Sequence, residues 1–234
     1  MEQEALINRL GFNNRGLDRL VERVEKRKTR GIIGINIGKN LSTPVDRSLD
    51  DYLIGLREVY PHAYYITINI SSPNTPGLRT LQLGEALKHL LGGLKSERMR
   101  LTDEFSRYVP LAVKISPDLE ANELAPLAEL LIRHGIDGVI ATNTTLSREG
   151  VELSALANES GGLSGKPLFE KSTAVVAKLA ETLQGAIPII ACGGILSAED
   201  ANAKFQAGAS LVQIYSGFIY RGPALIADIV RSLQ

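Results

Sequence analysis

YYITINI, residues 64–70, is a nearly continuous run of apolar and β-branched residues. Strands of this composition are typical of parallel sheets whose two faces are both covered by helices. Segments with helical periodicity lie on either side of the run, at 49–60 and 80–95, and the sequence from there to residue 108 is more polar. The stretch therefore predicts one repeat of an alternating β/α fold.

Runs of the same kind recur along the chain, and a helix-period segment follows each. We expect strands at residues 31–37, 64–70, 110–116, 138–143, 187–192 and 210–215, and further helices at 121–134, 172–184, 198–206 and 223–233. Such an order of βα units fits two architectures, an open doubly wound sheet and a (β/α)8 TIM barrel.

Polar residues and glycines stand at the carboxyl ends of all the predicted strands. They include Asn36, Asn69, Lys114, Thr142, Asn143, Gly193, Gly194, Tyr215 and Ser216. A barrel builds its site from the ends of many strands around one axis, whereas an open sheet uses mainly the loops at one switch point. The distribution favours the barrel.

A complete barrel has eight strands, and this sequence predicts about six βα units. Residues 1–15 are expected to form a loop and residues 16–28 a helix, because this region is too charged for a barrel strand. We therefore predict a TIM barrel truncated at the N-terminus, with its first two strands placed before Met1. Residues 1–234 would form a single domain, and its first and last strands would be unpaired edges.

Composition excludes several classes of function. The 26 basic and 26 acidic residues balance, so no basic field exists to hold nucleic acid or anionic lipid. No apolar run is long enough to span a membrane, and the N-terminus does not resemble a signal peptide. One cysteine excludes a disulfide framework, and the three histidines show no metal-ligand spacing. These features predict a cytoplasmic chain without a metal.

Two glycine turns follow the last two strands, in CGGI (192–195) and YSGFIYRGP (215–223), and a helix follows each. Glycine lets the backbone approach a ligand closely, and helix N-termini present free N–H groups. The loops after the last two strands of a barrel frequently bind phosphate. We therefore expect a phosphate site, to which GGLSG (161–165) would add a donor; the alternative is that these are tight turns only.

Asparagines accumulate at or just beyond the same strand ends, at Asn36, Asn69, Asn74 and Asn143, and Asn8 lies in the predicted opening loop. Each amide offers a donor and an acceptor, so several around one pocket suit a ligand with N–H and C=O groups, such as a pyrimidine ring. The alternative for any one of them is a turn residue.

Lys114 ends an otherwise apolar strand, where an ammonium group is costly unless it meets an anion. It would act either as a charge partner for an electron-rich cofactor or as the Schiff-base nucleophile of an aldolase-type barrel. Ser72 has no histidine nearby in sequence to form a catalytic triad. Cys192 is interpreted as a small buried hydrophobic residue.

Eight segments in the same order resemble the dihydroorotate dehydrogenases of the quinone-dependent, membrane-associated class. They are NRLGFNN (8–14), GINIGKN (34–40), INISSPNTPGLR (68–79), VKISPDL (113–119), DGVIATNTT (137–145), GGLSGKPL (161–168), IIACGGI (189–195) and AGASLVQIYSGFIYRGP (207–223). The resemblance extends from about Ala5 to the C-terminus, and INISSPNTPGLR is its most specific segment.

The resemblance implies oxidation of dihydroorotate to orotate, in the de novo biosynthesis of UMP, on an FMN at the barrel mouth. Ser72 occupies the place of the family's catalytic base, where the class that uses fumarate or NAD carries cysteine, so a quinone acceptor is implied. The positions that match substrate contacts are Asn8, Phe12, Asn69, Asn74, Asn143 and Thr144. Those that match FMN contacts are Asn36, Asn69, Lys114, Thr142, Gly165, Gly194, Tyr215 and Ser216.

The chain departs from the family at its beginning. The family has an N-terminal helical segment that forms the quinone tunnel and touches the membrane, and two further strands that contact FMN and substrate. None of these is found in this sequence, so peripheral membrane association belongs to the full-length family and the chain alone is expected to be soluble. Two hypotheses follow: a catalytic piece of the enzyme, or an inactive fragment that does not hold FMN.

Overall fold

The computed structural model describes residues 3–234. Its strands are β1 (Ala5–Asn8), β2 (Gly34–Ile37), β3 (Tyr65–Asn69), β4 (Leu111–Ile115), β5 (Gly138–Ala141), β6 (Gly162–Gly165), β7 (Ile189–Cys192) and β8 (Leu211–Gln213). Its α-helices are α1 (Leu17–Glu25), α2 (Ser48–Val59), α3 (Gly84–Phe105), α4 (Ala121–Arg133), α5 (Phe169–Leu183), α6 (Ala198–Gln206), α7 (Ser216–Arg221) and α8 (Ala224–Ser232).

Six of the strands form one parallel sheet in the order β2-β3-β4-β5-β7-β8. Each neighbour in the sheet is the next sheet strand along the chain, with at least one helix between them. The predicted succession of six βα units is confirmed, and it fits a TIM barrel of that extent. Within residues 3–234, β2 and β8 pair on one side only.

The two faces of the sheet pack differently. Side chains such as Ile66, Ile68 and Val113 lie in the main core between the sheet and its helices. On the other face, Ala112, Ile140 and Cys192 from three adjacent strands form a separate apolar cluster. Burial on both faces explains the continuous apolar runs in the sequence, and the second cluster is the floor beneath the strand ends.

The prediction that residues 1–15 form only a loop is wrong, although Met1 and Glu2 lie outside the described residues. β1 pairs antiparallel with β6, which was not among the predicted strands. The two strands pair with each other outside the parallel sheet, so β1 needs no barrel-strand composition. Gly165 permits the close approach: its φ is +91°, and a Cβ there would lie 2.1 Å from the Glu4 carbonyl oxygen.

Helix α3 continues ten residues beyond its predicted end at residue 95. The polar sequence there is packed by ion pairs: buried Arg98 binds Asp137, and Glu97 binds Arg57. Polar composition alone therefore predicted the end of this helix wrongly. None of the described helices combines the length and hydrophobicity needed to cross a bilayer.

Candidate active site

Two adjoining cavities open at the carboxyl ends of the strands. The inner cavity, about 240 Å³, lies over β5, β7 and β8, and the outer cavity, about 210 Å³, lies beside the loop that follows β3. The two cavities share the residues Asn8, Leu10, Lys114, Asn143 and Thr144. They therefore form one continuous site with two compartments.

Amide groups are held in place around the outer cavity. The Asn69 Oδ1 accepts hydrogen bonds from the Ser71 N–H (3.2 Å) and from Asn143 Nδ2 (3.4 Å), and Asn143 Nδ2 also donates to Ser71 Oγ at 3.0 Å. The buried Tyr52 hydroxyl donates to the Asn69 carbonyl at 2.7 Å. In the described part of the chain, Asn69 Nδ2 donates no hydrogen bond, so this donor is left for a ligand.

Strand β1 closes the other side of the outer cavity. Asn74 Nδ2 donates to the Asn8 carbonyl at 3.1 Å, which ties the end of β1 to the loop after β3. The Phe12 ring lies close to Gly38, where a Cβ would be 3.3 Å from it. These contacts bring residues from the chain's beginning to a site built on strand ends.

Ser72 is 6% exposed and lines the outer cavity. Its Oγ accepts one hydrogen bond, from the Asn74 N–H at 3.3 Å. Within residues 3–234 this hydroxyl donates to no group, and no histidine contacts it. The geometry therefore places a desolvated hydroxyl against the cavity without the imidazole of a serine triad.

Lys114 lies on the inner face of β4, two residues after Ala112 of the apolar floor, and lines both cavities. Its Nζ is 3.5 Å from Gln213 Oε1, and it forms no ion pair with any described residue. A half-buried ammonium group without a carboxylate partner attracts an anionic or electron-rich ligand.

The glycine turns form the far end of the inner cavity. Gly194 has a φ of +75°, and a Cβ there would lie 2.3 Å from the Phe169 Cα, so only glycine fits. Its N–H donates to no described group, and the first N–H groups of α7, which begins at Ser216, lack intrahelical partners. Tyr215 is 69% exposed and also lines this end of the cavity. This donor set suits a phosphate.

Nearly all of the residues singled out in the sequence converge here. The two cavities are lined by Asn8, Phe12, Asn69, Ser72, Asn74, Lys114, Thr142, Asn143, Thr144, Gly165, Gly194, Tyr215 and Ser216. Asn36 is the exception: it lies on the exposed face of the edge strand β2 and lines a third cavity of about 540 Å³, which it shares with Phe12.

Two of the lining residues that were not singled out in the sequence form hydrogen bonds within the site. Ser164 Oγ accepts a hydrogen bond from Ser216 Oγ at 2.8 Å, which joins β6 to the turn before α7. Gln213 lies beside Lys114 in the inner cavity. A signal existed for each: Ser164 is the polar residue within GGLSG, and Gln213 is the polar end of an apolar strand.

The chain is similar to known proteins in both sequence and structure. A family model described as dihydroorotate dehydrogenase matches residues 1–234. The dihydroorotate dehydrogenase (quinone) of Methylococcus capsulatus is 62% identical over 230 residues, covering 98% of this chain and 68% of that protein. That of Nitrosomonas europaea is 60% identical over 232 residues, covering 99% and 68%. A ligand-free dihydroorotate dehydrogenase structure from Eimeria tenella has a TM-score of 0.90 at 38% identity, covering 99% and 69%.

Proposed function

Because this chain belongs to the dihydroorotate dehydrogenase family, we propose that its two cavities carry out the oxidation of dihydroorotate to orotate, with a quinone as the final electron acceptor. The observation that carries the proposal is the convergence of Ser72, Lys114 and three asparagine amides on one continuous site. The same family membership favours the dehydrogenase over an aldolase-type barrel built on Lys114.

We propose FMN as the cofactor, in a single FMN-binding barrel domain that comprises residues 1–234. When bound, FMN supplies the acceptor for the hydride that leaves the substrate. The chemistry of the donor set fits it: the turns at Gly194 and Ser216 would take the phosphate. Lys114 and Thr142 would face the ring system, where the lysine charge stabilises negative charge that develops on reduction.

The outer cavity is the proposed substrate compartment. Dihydroorotate carries ring N–H and C=O groups, which match the donors and acceptors of the Asn69, Asn74 and Asn143 side chains. Asn8, Phe12 and Thr144 would complete the enclosure. A substrate lacking one of these ring groups would leave a buried amide unpaired, at a cost of about 1–3 kcal/mol.

Ser72 is the proposed base. Its Oγ would take the proton from C5 of dihydroorotate while the hydride leaves C6, so that the C5–C6 bond becomes double. A neutral serine is a weak base, and its low exposure supports this role by keeping bulk water from the reacting atoms. The proton then needs a relay to solvent, and the Asn74 N–H orients the hydroxyl oxygen for the transfer.

The proposed quinone acceptor also has a consequence for where the reaction takes place. Quinones of respiratory chains partition into membranes, so we also propose that oxidation by quinone takes place at a membrane surface. This part of the proposal rests on the curated relatives, which are named as quinone-dependent enzymes.

A visible absorption spectrum tests the proposal. FMN is added to the purified chain, the mixture is desalted, and dihydroorotate is then added without oxygen. Retained flavin that bleaches with dihydroorotate is the expected result, and Lys114→Met should retain less flavin than Lys178→Met on the exposed surface of α5. Absence of retained flavin would favour the alternative, an inactive fragment. Borohydride trapping of Lys114 on a carbonyl substrate would instead support the aldolase.

A further inference from the structure

One arginine links three of the loops that follow the strands. Arg79 Nε donates to the Ser71 carbonyl at 3.0 Å, and its Nη2 donates to the Thr144 carbonyl at 2.8 Å. Its Nη1 pairs with Asp118 at 2.7 Å. Ser71 directly precedes Ser72, so this guanidinium connects the proposed base to the loops that follow β4 and β5.

Asp118 extends the connection. Its carboxylate accepts hydrogen bonds from Lys171 Nζ (2.7 Å), from the Leu146 N–H (2.9 Å) and from the Thr145 hydroxyl. Burial opposes its ionisation, but the bonds from Lys171, Thr145, Leu146 and Arg79 outweigh burial and lower its pKa to about 2. The group is therefore charged throughout the physiological range and holds α5 against the loops.

We propose that the Arg79–Asp118 pair, which we call the loop clamp, positions Ser72 relative to Asn143 for the oxidation of dihydroorotate. The inference rests on the proposed function. Neither clamp residue lines the two cavities, so both act through the residues they hold. A displacement of about 1 Å at a reacting group can lower a rate by about a hundredfold, which is enough to make such a clamp consequential.

The chain contains a matched control. Asp137 pairs with Arg98 at 2.7 Å and accepts hydrogen bonds from the Leu111 N–H (2.8 Å) and the Tyr108 hydroxyl. We call Arg98–Asp137 the amino-end clamp. Like Asp118, its carboxylate accepts from an arginine, a backbone N–H and a hydroxyl, but it lies at the amino ends of β4 and β5, away from the site.

The experiment compares Asp118→Asn with Asp137→Asn in the FMN-loaded chain. Asp118→Asn should lower kcat for dihydroorotate by about 10- to 100-fold with a smaller change in KM, and Asp137→Asn should leave kcat per bound flavin unchanged. Equal losses in the two variants would overturn the proposal, because they would indicate a shared effect on folding.

A second readout does not need activity. Hydrogen exchange of the unliganded chain should be faster over residues 71–79 and 143–146 in Asp118→Asn, and unchanged there in Asp137→Asn. If the wild-type chain fails to oxidise dihydroorotate while this exchange difference is found, the proposed function fails and the clamp stands as a device that orders these loops. If the exchange difference is absent, the loop clamp is refuted whatever the activity.

Discussion

The loop clamp and the amino-end clamp are both arginine–aspartate ion pairs, and they lie at opposite ends of the same sheet. In the amino-end clamp the Arg98 side chain is 7% exposed and also donates to the Gly135 carbonyl, so it joins α3 to the beginnings of two strands. In the loop clamp both side chains are 20% exposed and the partners are loops. The comparison indicates that the same kind of ion pair joins a helix to two strands at one end of the sheet and connects loops at the other.

The Arg98–Asp137 pair and the proposed site also differ in how completely their polar side chains are satisfied. Both carboxylate oxygens of Asp137 have a hydrogen-bond partner. At the carboxyl end Lys114 has no carboxylate partner and Asn69 Nδ2 has no acceptor among the described residues. Polar groups left in this state cost stability and are retained where a ligand completes them.

The largest predicted effect is at Ser72 and would show that the carboxyl end carries the chemistry. Ser72→Ala should slow flavin reduction by dihydroorotate by about 10²- to 10⁴-fold, since a positioned base contributes that much. The fold should survive because the Ser72 hydroxyl accepts one long hydrogen bond. Stopped-flow absorbance measures the rate, and Ser96→Ala on the exposed face of α3 is the control. An unchanged rate would remove Ser72 from the mechanism.

Breaking the amino-end clamp should lower stability and leave activity unchanged. Arg98→Met leaves Asp137 without its cation, so the free energy of unfolding should fall by about 3 kcal/mol, while turnover per folded molecule is retained. Denaturant unfolding gives the first quantity and flavin-normalised activity the second. Lys178→Met, which breaks an exposed pair with Glu181, should cost about 0–1 kcal/mol. Selective loss of activity in Arg98→Met would erase the contrast between the two clamps.

Acid should weaken the loop clamp. The pKa of Asp118 is lowered from 3.8 to about 2 by its bonds, which outweigh the opposing effect of burial. The unfolded chain therefore takes up this proton before the native one does. The stabilisation is complete above about pH 4 and is lost as the pH falls towards 2. The stability difference between wild type and Asp118→Asn, measured by denaturant unfolding, should be smaller at pH 3 than at pH 6. A constant difference would contradict the assignment.

The smallest predicted effect concerns Lys204, which is buried beneath the glycine turn. Its Nζ donates to Ser172 Oγ at 2.7 Å, and Ser172 Oγ donates in turn to the Gly193 carbonyl. Burial lowers the pKa of Lys204 to about 8. Between this value and the ordinary 10.5 the unfolded chain holds a proton that the native chain has lost, so stability should rise with pH in that window.

Lys204→Met should lack that rise. Unfolding measured at pH 8 and pH 10 tests it, with Lys178→Met, which is exposed, as the variant expected to behave like wild type. A wild-type chain whose stability falls between these two values relative to Lys204→Met would show that the lysine is charged in the native state.

The order of elements was accessible from the sequence because a strand buried on both faces must be apolar along its length. Runs such as residues 64–70 and 138–143 therefore marked the parallel sheet. The convergence of Asn69, Lys114 and Asn143 was accessible for a related reason, since parallel strands bring their carboxyl ends to one edge. Asn36 is on the edge strand β2, and its placement in another cavity could not be predicted from its position near the end of a strand.

Pairings between distant segments were not accessible. Strand β1 is too short to be distinguished from a loop, and it forms because β6, more than 150 residues away, supplies its hydrogen-bond partners. The second half of α3 is likewise stabilised by Asp137, a partner from beyond β4. Local composition carries no information about either contact.

By itself, the sequence determined the family, the succession of six βα units and the residue types at the strand ends. The periodicity of hydrophobic residues and the polarity at the ends of strands are local properties, because each depends only on residues that are close together in the sequence. Only the tertiary structure decided that Asn8 meets Asn74 and that Arg79 and Asp118 connect three loops. Hydrogen bonds and ion pairs depend on distances of about 3 Å between atoms, and such distances exist only once the chain has folded.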